Sequence, residues 1–84
     1  PEEVTNLSSV SLNSAYYVQW DKPVNSFRFV EDYKVYVDIK DSQASLNRAD
    51  AVLVYQGDNT NYMYPVSGSN LDKYHQFWVE IIYR

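Results

Sequence analysis

The stretch at residues 16–23, Tyr-Tyr-Val-Gln-Trp-Asp-Lys-Pro, alternates between two faces, is rich in aromatic and β-branched residues, and stops at a proline. In an extended strand, Tyr16, Val18 and Trp20 share one face, and Tyr17 lies on the other. Pro23 has no backbone N–H and therefore closes the strand. A tryptophan at the end of the apolar face predicts a large core residue around which later strands pack.

The clearest alternation in the chain runs from Asp32 to Ile39 and predicts another strand. Its inward face is predicted to consist of Tyr33, Val35, Val37 and Ile39. Its outward face is predicted to consist of Lys34, Tyr36 and Asp38.

Four further strands are predicted, over residues 4–12 (an irregular edge strand), 51–55, 62–66 and 77–83. Turns are predicted at residues 13–14, 25–26, 57–59 and 67–70, residues 27–30 lead into the Asp32 strand, and residues 40–50 form a loop with one helical turn. Pro65 has the opposite phase from Tyr62 and Tyr64, which argues for an edge position or a bulge. Six short strands predict an all-β, two-sheet antiparallel Greek-key sandwich.

The length and composition are those of one small domain, which we expect to span residues 1–84. The chain has no cysteine, so it offers neither a disulfide nor a thiolate metal site. Stability must therefore come from buried side chains, to which nine tyrosines and an aromatic fraction of 17% contribute. Because the chain begins at Pro1 rather than methionine, we expect a fragment of a longer multidomain protein.

The formal net charge is -4, from seven Lys and Arg residues against eleven Asp and Glu residues. An acidic chain without a basic run binds the phosphate backbone poorly, so we expect no nucleic-acid partner. No apolar stretch approaches the ~20 residues of a membrane span, so we expect no direct membrane insertion.

The order of these landmarks resembles that of a fibronectin type III domain, and the resemblance covers nearly the whole chain. Residues 1–7 are similar to the first strand of that family. Trp20 with Pro23 three residues later resembles its second strand, and Tyr33-Lys34-Val35 resembles the tyrosine-x-valine pattern of its third. Residues 57–66 resemble the stretch that leads into its fifth strand.

The resemblance implies a tyrosine near the start of the sixth strand, a few residues after a leucine, whose hydroxyl ties a corner. Leu71 and Tyr74 are the candidates, but Tyr74 is out of phase with Phe77. Either a β-bulge separates Tyr74 from Phe77, which we favour, or Phe77 takes the corner position without a hydroxyl. The predicted core comprises Trp20, Tyr33, Val35, Leu71, Tyr74 and Val79.

The resemblance also implies a seventh strand after Arg84, which the sequence does not contain. The strand at 77–83 would then be an open apolar edge. Two explanations remain at this point: the chain is cut from a longer protein, or a partner strand completes the sheet by strand addition at 77–83.

No catalytic, metal or cofactor site is predicted. His75 is the single histidine, and the carboxylates at Glu31, Asp32, Asp38 and Asp41 do not have the spacing of a calcium loop. The serines lack an elbow motif, and the two glycines are isolated, so neither a hydrolytic triad nor a phosphate loop is available.

Three aromatic residues are predicted to point away from the core and to form a contact patch or to pack under loops: Tyr17, Tyr36 and Trp78. Tyr36 and Trp78 are expected to be neighbours, beside Lys34 and Glu80. Asn6-Leu7-Ser8 fits the N-glycosylation pattern, which makes Asn6 a candidate acceptor. An integrin-binding Arg-Gly-Asp tripeptide does not occur.

We therefore expect a non-catalytic, extracellular or cell-surface module: a spacer or protein-interaction domain of a receptor, adhesion or surface protein. Its partner would be another protein or a neighbouring domain of the same chain. The alternatives are an accessory module of a secreted carbohydrate-active enzyme, serving as linker or contacting sugar through Tyr36 and Trp78, and a structural module of a phage or bacterial surface. The fold alone does not choose among them.

Overall fold

The structure, a computed structural model, describes residues 2–23 and 29–84. The described chain is all-β, with two antiparallel sheets packed against each other, which confirms the predicted fold class. Pro1 and the turn predicted at residues 25–26 lie outside the described residues. The segment predicted at residues 27–30 lies partly outside them.

Seven strands and three single turns of 3-10 helix make up the described chain. The strands are β1 (Glu2–Glu3), β2 (Ser8–Leu12), β3 (Ala15–Gln19), β4 (Val30–Lys40), β5 (Val52–Gly57), β6 (Asn61–Pro65) and β7 (Tyr74–Tyr83). The 3-10 turns are Gln43–Ser45, Arg48–Asp50 and Gly68–Asn70.

The strands divide into a four-stranded sheet of order β1-β7-β4-β5 and a three-stranded sheet of order β2-β3-β6. The long central pair β4–β7 places Tyr33 opposite Ile81 and Val35 opposite Val79. In the three-stranded sheet, β3 pairs with both β2 and β6. Strand β6 lies at an edge of the described sheet, which is one of the two alternatives, an edge or a bulge, that the phase of Pro65 predicted. An edge strand tolerates proline because the missing N–H need not pair with a neighbouring strand.

The core lies between the two sheets and confirms the predicted burial of Trp20, Tyr33, Val35 and Val79. Trp20 follows β3 directly, and its backbone N–H donates to the Thr60 carbonyl at 3.1 Å. Its indole ring meets the Tyr33 ring edge-on, with ring centroids 5.5 Å apart. The buried apolar residues are Val18, Trp20, Tyr33, Val35, Val37, Val66, Phe77, Val79 and Ile81.

The predicted burial of Leu71 and Tyr74 is wrong, since these side chains are 56% and 50% exposed. The β4–β7 register runs without a shift from Lys40 opposite Tyr74 to Val37 opposite Phe77, so the predicted bulge is absent there. Strand alternation therefore turns Tyr74 outward and gives the inward position to His75. Leu71 follows a 3-10 turn and precedes β7, so no sheet buries it.

The strand predicted over residues 4–12 is shorter in the structure, where β2 covers Ser8–Leu12, and a separate short strand, β1 (Glu2–Glu3), precedes it in the other sheet. Asn6 has a φ of 55°, a left-handed conformation that interrupts the strand, so β1 joins β7 and β2 joins β3. Glu2 lies opposite Ile81 and Glu3 opposite Glu80. The described chain consequently has seven strands rather than six, and β1 covers part of the β7 edge.

Candidate interaction surface

The outer face of the four-stranded sheet, which we call the charged face, is built mainly by alternate residues of β4 and β7. Lys34 lies opposite Glu80, Tyr36 opposite Trp78, and Asp38 opposite Gln76. Each pair is cross-strand neighbours on one face, so charged and aromatic side chains meet directly.

Asp38 was predicted to face outward into solvent, but its residue is only 5% exposed. Its phase is outward as predicted, and the loop at residues 41–50 covers it. The carboxylate accepts the Asn47 N–H at 2.8 Å and the Lys40 ammonium at 2.8 Å, and Lys40 also contacts Asp50 at 2.8 Å. Hydrogen bonding from Lys40 is the main reason why the pKa of Asp38 lies below its ordinary value. Asp38 therefore fastens a loop.

Tyr36 and Trp78 are cross-strand neighbours, as predicted. The Arg48 guanidinium lies 4.0 Å from the centroid of the Tyr36 ring and forms an ion pair with Glu80 at 2.7 Å. The Tyr36 hydroxyl also donates to Glu80 at 3.4 Å. Because Arg48 lies on one face of the Tyr36 ring, a sugar stacked on that face would have to displace it, so carbohydrate contact through Tyr36 and Trp78 stays a prediction.

The outer face of the three-stranded sheet, which we call the neutral face, has a different chemistry. The strand registers place nine side chains on it in three cross-strand rows. The rows are Leu12–Ala15–Pro65, Val10–Tyr17–Met63 and Ser8–Gln19–Asn61. None of the nine is charged, although the chain as a whole carries -4.

Tyr17 sits at the centre of the neutral face, half-buried between β2 and β6. On either side of it, Val10 is 49% exposed and Met63 is 48% exposed, and Leu12 in the adjacent row is 47% exposed. Large apolar side chains that remain half in water on one face are typical of a contact surface. The three aromatic residues proposed for one patch thus lie on two surfaces, Tyr17 on one and Tyr36 with Trp78 on the other.

Val10, Leu12 and Met63 were not recognised as surface candidates from the sequence. A signal for them was present, because residues 4–20 and 59–71 contain no charged residue, and these two stretches supply β2, β3 and β6. The sequence did not show that the two stretches pair in one sheet. That pairing joins residues about fifty positions apart and depends on the tertiary fold.

His75 lies at the inward side of the β7 start, against the rings of Tyr16 at 4.7 Å and Tyr64 at 6.0 Å. Its Nδ1 lies 3.0 Å from the Lys73 carbonyl oxygen, and its Nε2 is buried and has no hydrogen-bond partner among residues 2–23 and 29–84. Burial lowers the pKa of His75 below its ordinary value of 6.5, and the contact with Lys73 opposes that shift. Because aromatic rings surround the uncharged imidazole of His75, we assign this residue a packing role.

Asn6 is exposed, as a glycosylation acceptor must be, but its amide is engaged. The side-chain Nδ2 donates to the Asp21 carboxylate, and Nδ2 is the atom that a glycan would modify. Glycosylation at Asn6 stays a prediction, and it would remove one of the two hydrogens that this amide can donate to Asp21.

β1 already occupies part of the strand edge at which strand addition was predicted, residues 77–83. β1 pairs with Glu80 and Ile81, and the Val4 N–H donates to the Val79 carbonyl at 3.2 Å. A partner strand that spans all of residues 77–83 would have to displace β1. Among residues 2–23 and 29–84, no strand lies beside Tyr74–Trp78 on the side away from β4.

None of the helical turns in the described ranges is long and apolar enough to cross a membrane. Comparisons of the chain with protein-family models, with curated proteins and with solved structures found no match.

Proposed function

We propose that this chain is a non-catalytic protein-interaction module of a larger surface protein, with the neutral face as its docking surface. The division into a β2-β3-β6 sheet and a sheet built on β4 and β7 is compatible with the fibronectin type III resemblance. Such a sandwich supplies a rigid platform, and its outer faces are free to evolve contacts.

One observation supports this assignment above the others, namely that the exposed apolar side chains Val10, Leu12 and Met63 share a face without charge. Exposed apolar residues scattered singly need no explanation, but a contiguous group surrounding a tyrosine is typical of a protein contact. On the charged face, by contrast, charged side chains are already paired within the chain, Arg48 with Glu80 and Lys40 with Asp38.

A photo-crosslinking experiment tests the proposal. A benzophenone amino acid replaces Tyr17 at the centre of the neutral face or, as the control, the exposed Gln76 on the charged face, and the protein is irradiated in cells that produce it naturally. We expect covalent adducts, with a further protein or with another copy, at position 17 and not at position 76. Adducts are identified by mass spectrometry, and the complex is rebuilt from purified components.

Affinity measurements on the rebuilt complex complete the test. Met63→Lys should raise the Kd at least about tenfold, because it places a charge in an apolar contact. Gln76→Lys introduces the same side chain on the other face and should change the Kd less than about twofold. Equal adducts at both positions, or an unchanged Kd for Met63→Lys, would contradict the assignment of the neutral face.

A further inference from the structure

We infer that Met63 is a reversible oxidation site, through which peroxides weaken docking at the neutral face. The inference rests on the proposed function, since it names a means by which the same surface is regulated. It stands on three features of Met63: its sulfur chemistry, its exposure and its neighbours.

Sulfur chemistry makes Met63 the target of a peroxide. Met63 is the single methionine and the chain has no cysteine, so its Sδ is the one sulfur atom of the chain. A lone pair of Sδ attacks one peroxide oxygen, an S–O bond forms as the O–O bond breaks, and the other oxygen leaves as water or an alcohol. The sulfur loses two electrons, which the peroxide gains, and the product is methionine sulfoxide.

Exposure leaves this sulfur open to a small oxidant. Met63 is 48% exposed and lies at the middle of β6, an edge strand of the described sheet. The susceptibility of a sulfur side chain to oxidation follows its exposure. We therefore expect Met63 to react at a rate close to that of a free methionine.

The neighbours of Met63 turn the reaction into a change of the surface. The strand register places Met63 beside Tyr17, with Val10 on the other side of Tyr17, and no member of this row is charged. A sulfoxide replaces the apolar thioether by a polar acceptor, from which a docking partner would have to remove water. Because Met63 points away from the core, oxidation should weaken docking and leave the fold intact.

Docking and oxidation should oppose each other at this residue. A partner that covers Met63 keeps peroxide from its sulfur, and the sulfoxide in turn disfavours the partner. The free chain is thus the form that is oxidised.

The first measurement uses the purified chain and hydrogen peroxide. Mass spectrometry should find one added oxygen on Met63, formed at a rate within about tenfold of that of N-acetylmethionine amide. The amide NMR spectrum should stay that of a folded sandwich, with shift changes in the β2-β3-β6 sheet. A slower reaction, or loss of the folded spectrum, would overturn the inference.

The second measurement uses the complex rebuilt from purified components after crosslinking at Tyr17. Oxidation should raise the Kd at least about threefold, because it places an unpaired polar group in an apolar contact. Reduction by the two epimer-specific methionine sulfoxide reductases with a thiol should return the Kd to its starting value. Saturating partner should slow the oxidation of Met63 at least about tenfold by covering it. A Kd that oxidation does not raise, or an oxidation rate that the partner does not slow, would overturn the inference.

Met63→Leu provides the control, because leucine has no sulfur to oxidise. Whatever the Kd of this variant, it should be the same before and after peroxide treatment. A peroxide response that persists in Met63→Leu would assign the effect to another residue and overturn the role of Met63.

The outcomes separate this inference from the proposed function. If Met63→Lys weakens docking and the sulfoxide does not, the oxidation site is refuted and the proposed function stands. If neither Met63→Lys nor oxidation changes the Kd, the neutral face is not the docking surface and both proposals fail.

Discussion

Both outer faces of this sandwich are built from alternate residues of antiparallel strands, but the side chains on the two faces differ in charge and in their contacts. On the charged face, Arg48 bridges Tyr36 and Glu80, and Asp38 fastens the loop at residues 41–50. On the neutral face, Val10, Tyr17 and Met63 form a cross-strand row of uncharged side chains, of which Val10 and Met63 are half exposed.

The difference teaches where to look for function in a small sandwich. A polar side chain that is satisfied within the chain contributes to stability and offers little to a partner, because binding a partner would first break its present contact. An exposed apolar side chain contributes little to stability and gains when a partner covers it. The charged face should therefore matter for folding, and the neutral face for association.

The largest effect should come from the core on which both faces depend. Trp20→Ala removes a buried indole that meets Tyr33 and should cost ~3–5 kcal/mol of the free energy of unfolding. That loss is a large part of the stability of so small a domain. Urea denaturation measures it, and a midpoint within error of the parent would refute the core role of Trp20.

On the charged face, Arg48→Ala should cost ~0.5–1.5 kcal/mol, because it removes a partly exposed ion pair with Glu80 together with the cation–π contact to Tyr36. Arg48→Lys keeps the charge and should recover only part of this loss. Denaturation of both variants at low and high salt checks the assignment. A loss that salt does not reduce would indicate that packing rather than charge holds Arg48.

The buried end of β7 predicts a pH dependence that neither outer face should share. The unfolded chain protonates His75 near pH 6.5, while burial lowers the pKa in the folded chain. The unfolded state thus binds more protons below pH 6.5, so stability is complete above that pH and falls as the pH drops toward the folded pKa. His75→Phe, which keeps an aromatic ring between Tyr16 and Tyr64, should lose less stability between pH 7 and about pH 5.5.

Denaturation midpoints across that range measure the effect. Parallel curves for the parent and for His75→Phe would show that the imidazole does not cause the loss. Most carboxylates titrate below this window, so they change the two curves little within it.

The smallest effect on stability should come from the neutral face. Met63→Lys replaces a half-exposed side chain and should change the free energy of unfolding, measured by urea denaturation, by less than about 0.5 kcal/mol. A loss as large as that of Arg48→Ala would erase the contrast between the two faces and make Met63 a structural residue.

Much of the fold could be predicted from the sequence, because strand alternation has a period of two and acts locally. The inward residues Tyr33, Val35 and Val37 followed from their spacing alone. At Tyr74, the corner tyrosine implied by the family resemblance conflicts with the plain alternation of β7, and the structure follows the alternation, which puts His75 inward. The exposure of Leu71 could not be derived from a pattern, since it lies between a 3-10 turn and a strand.

The candidate surface was predictable only in part. Tyr17, Tyr36 and Trp78 were correctly expected to point away from the core, and Tyr36 and Trp78 to be neighbours. Arg48 covers the Tyr36 ring, and the Asn47 N–H binds the buried Asp38 carboxylate. Both contacts arise because the loop at residues 41–50, which follows β4, folds back over the sheet. No local periodicity encodes that return.

The sequence by itself determined which residues of β3 and β4 are inward, that Trp20 belongs to the core, and that residues 4–20 and 59–71 are without charge, because these properties belong to single segments. The tertiary structure decided which segments become neighbours. The left-handed Asn6 sent β1 to one sheet and β2 to the other, and the pairing of β3 with both β2 and β6 joined two uncharged stretches into one surface. Pairing between distant strands depends on long-range hydrogen bonds and core packing, which cannot be read from any single stretch of the chain.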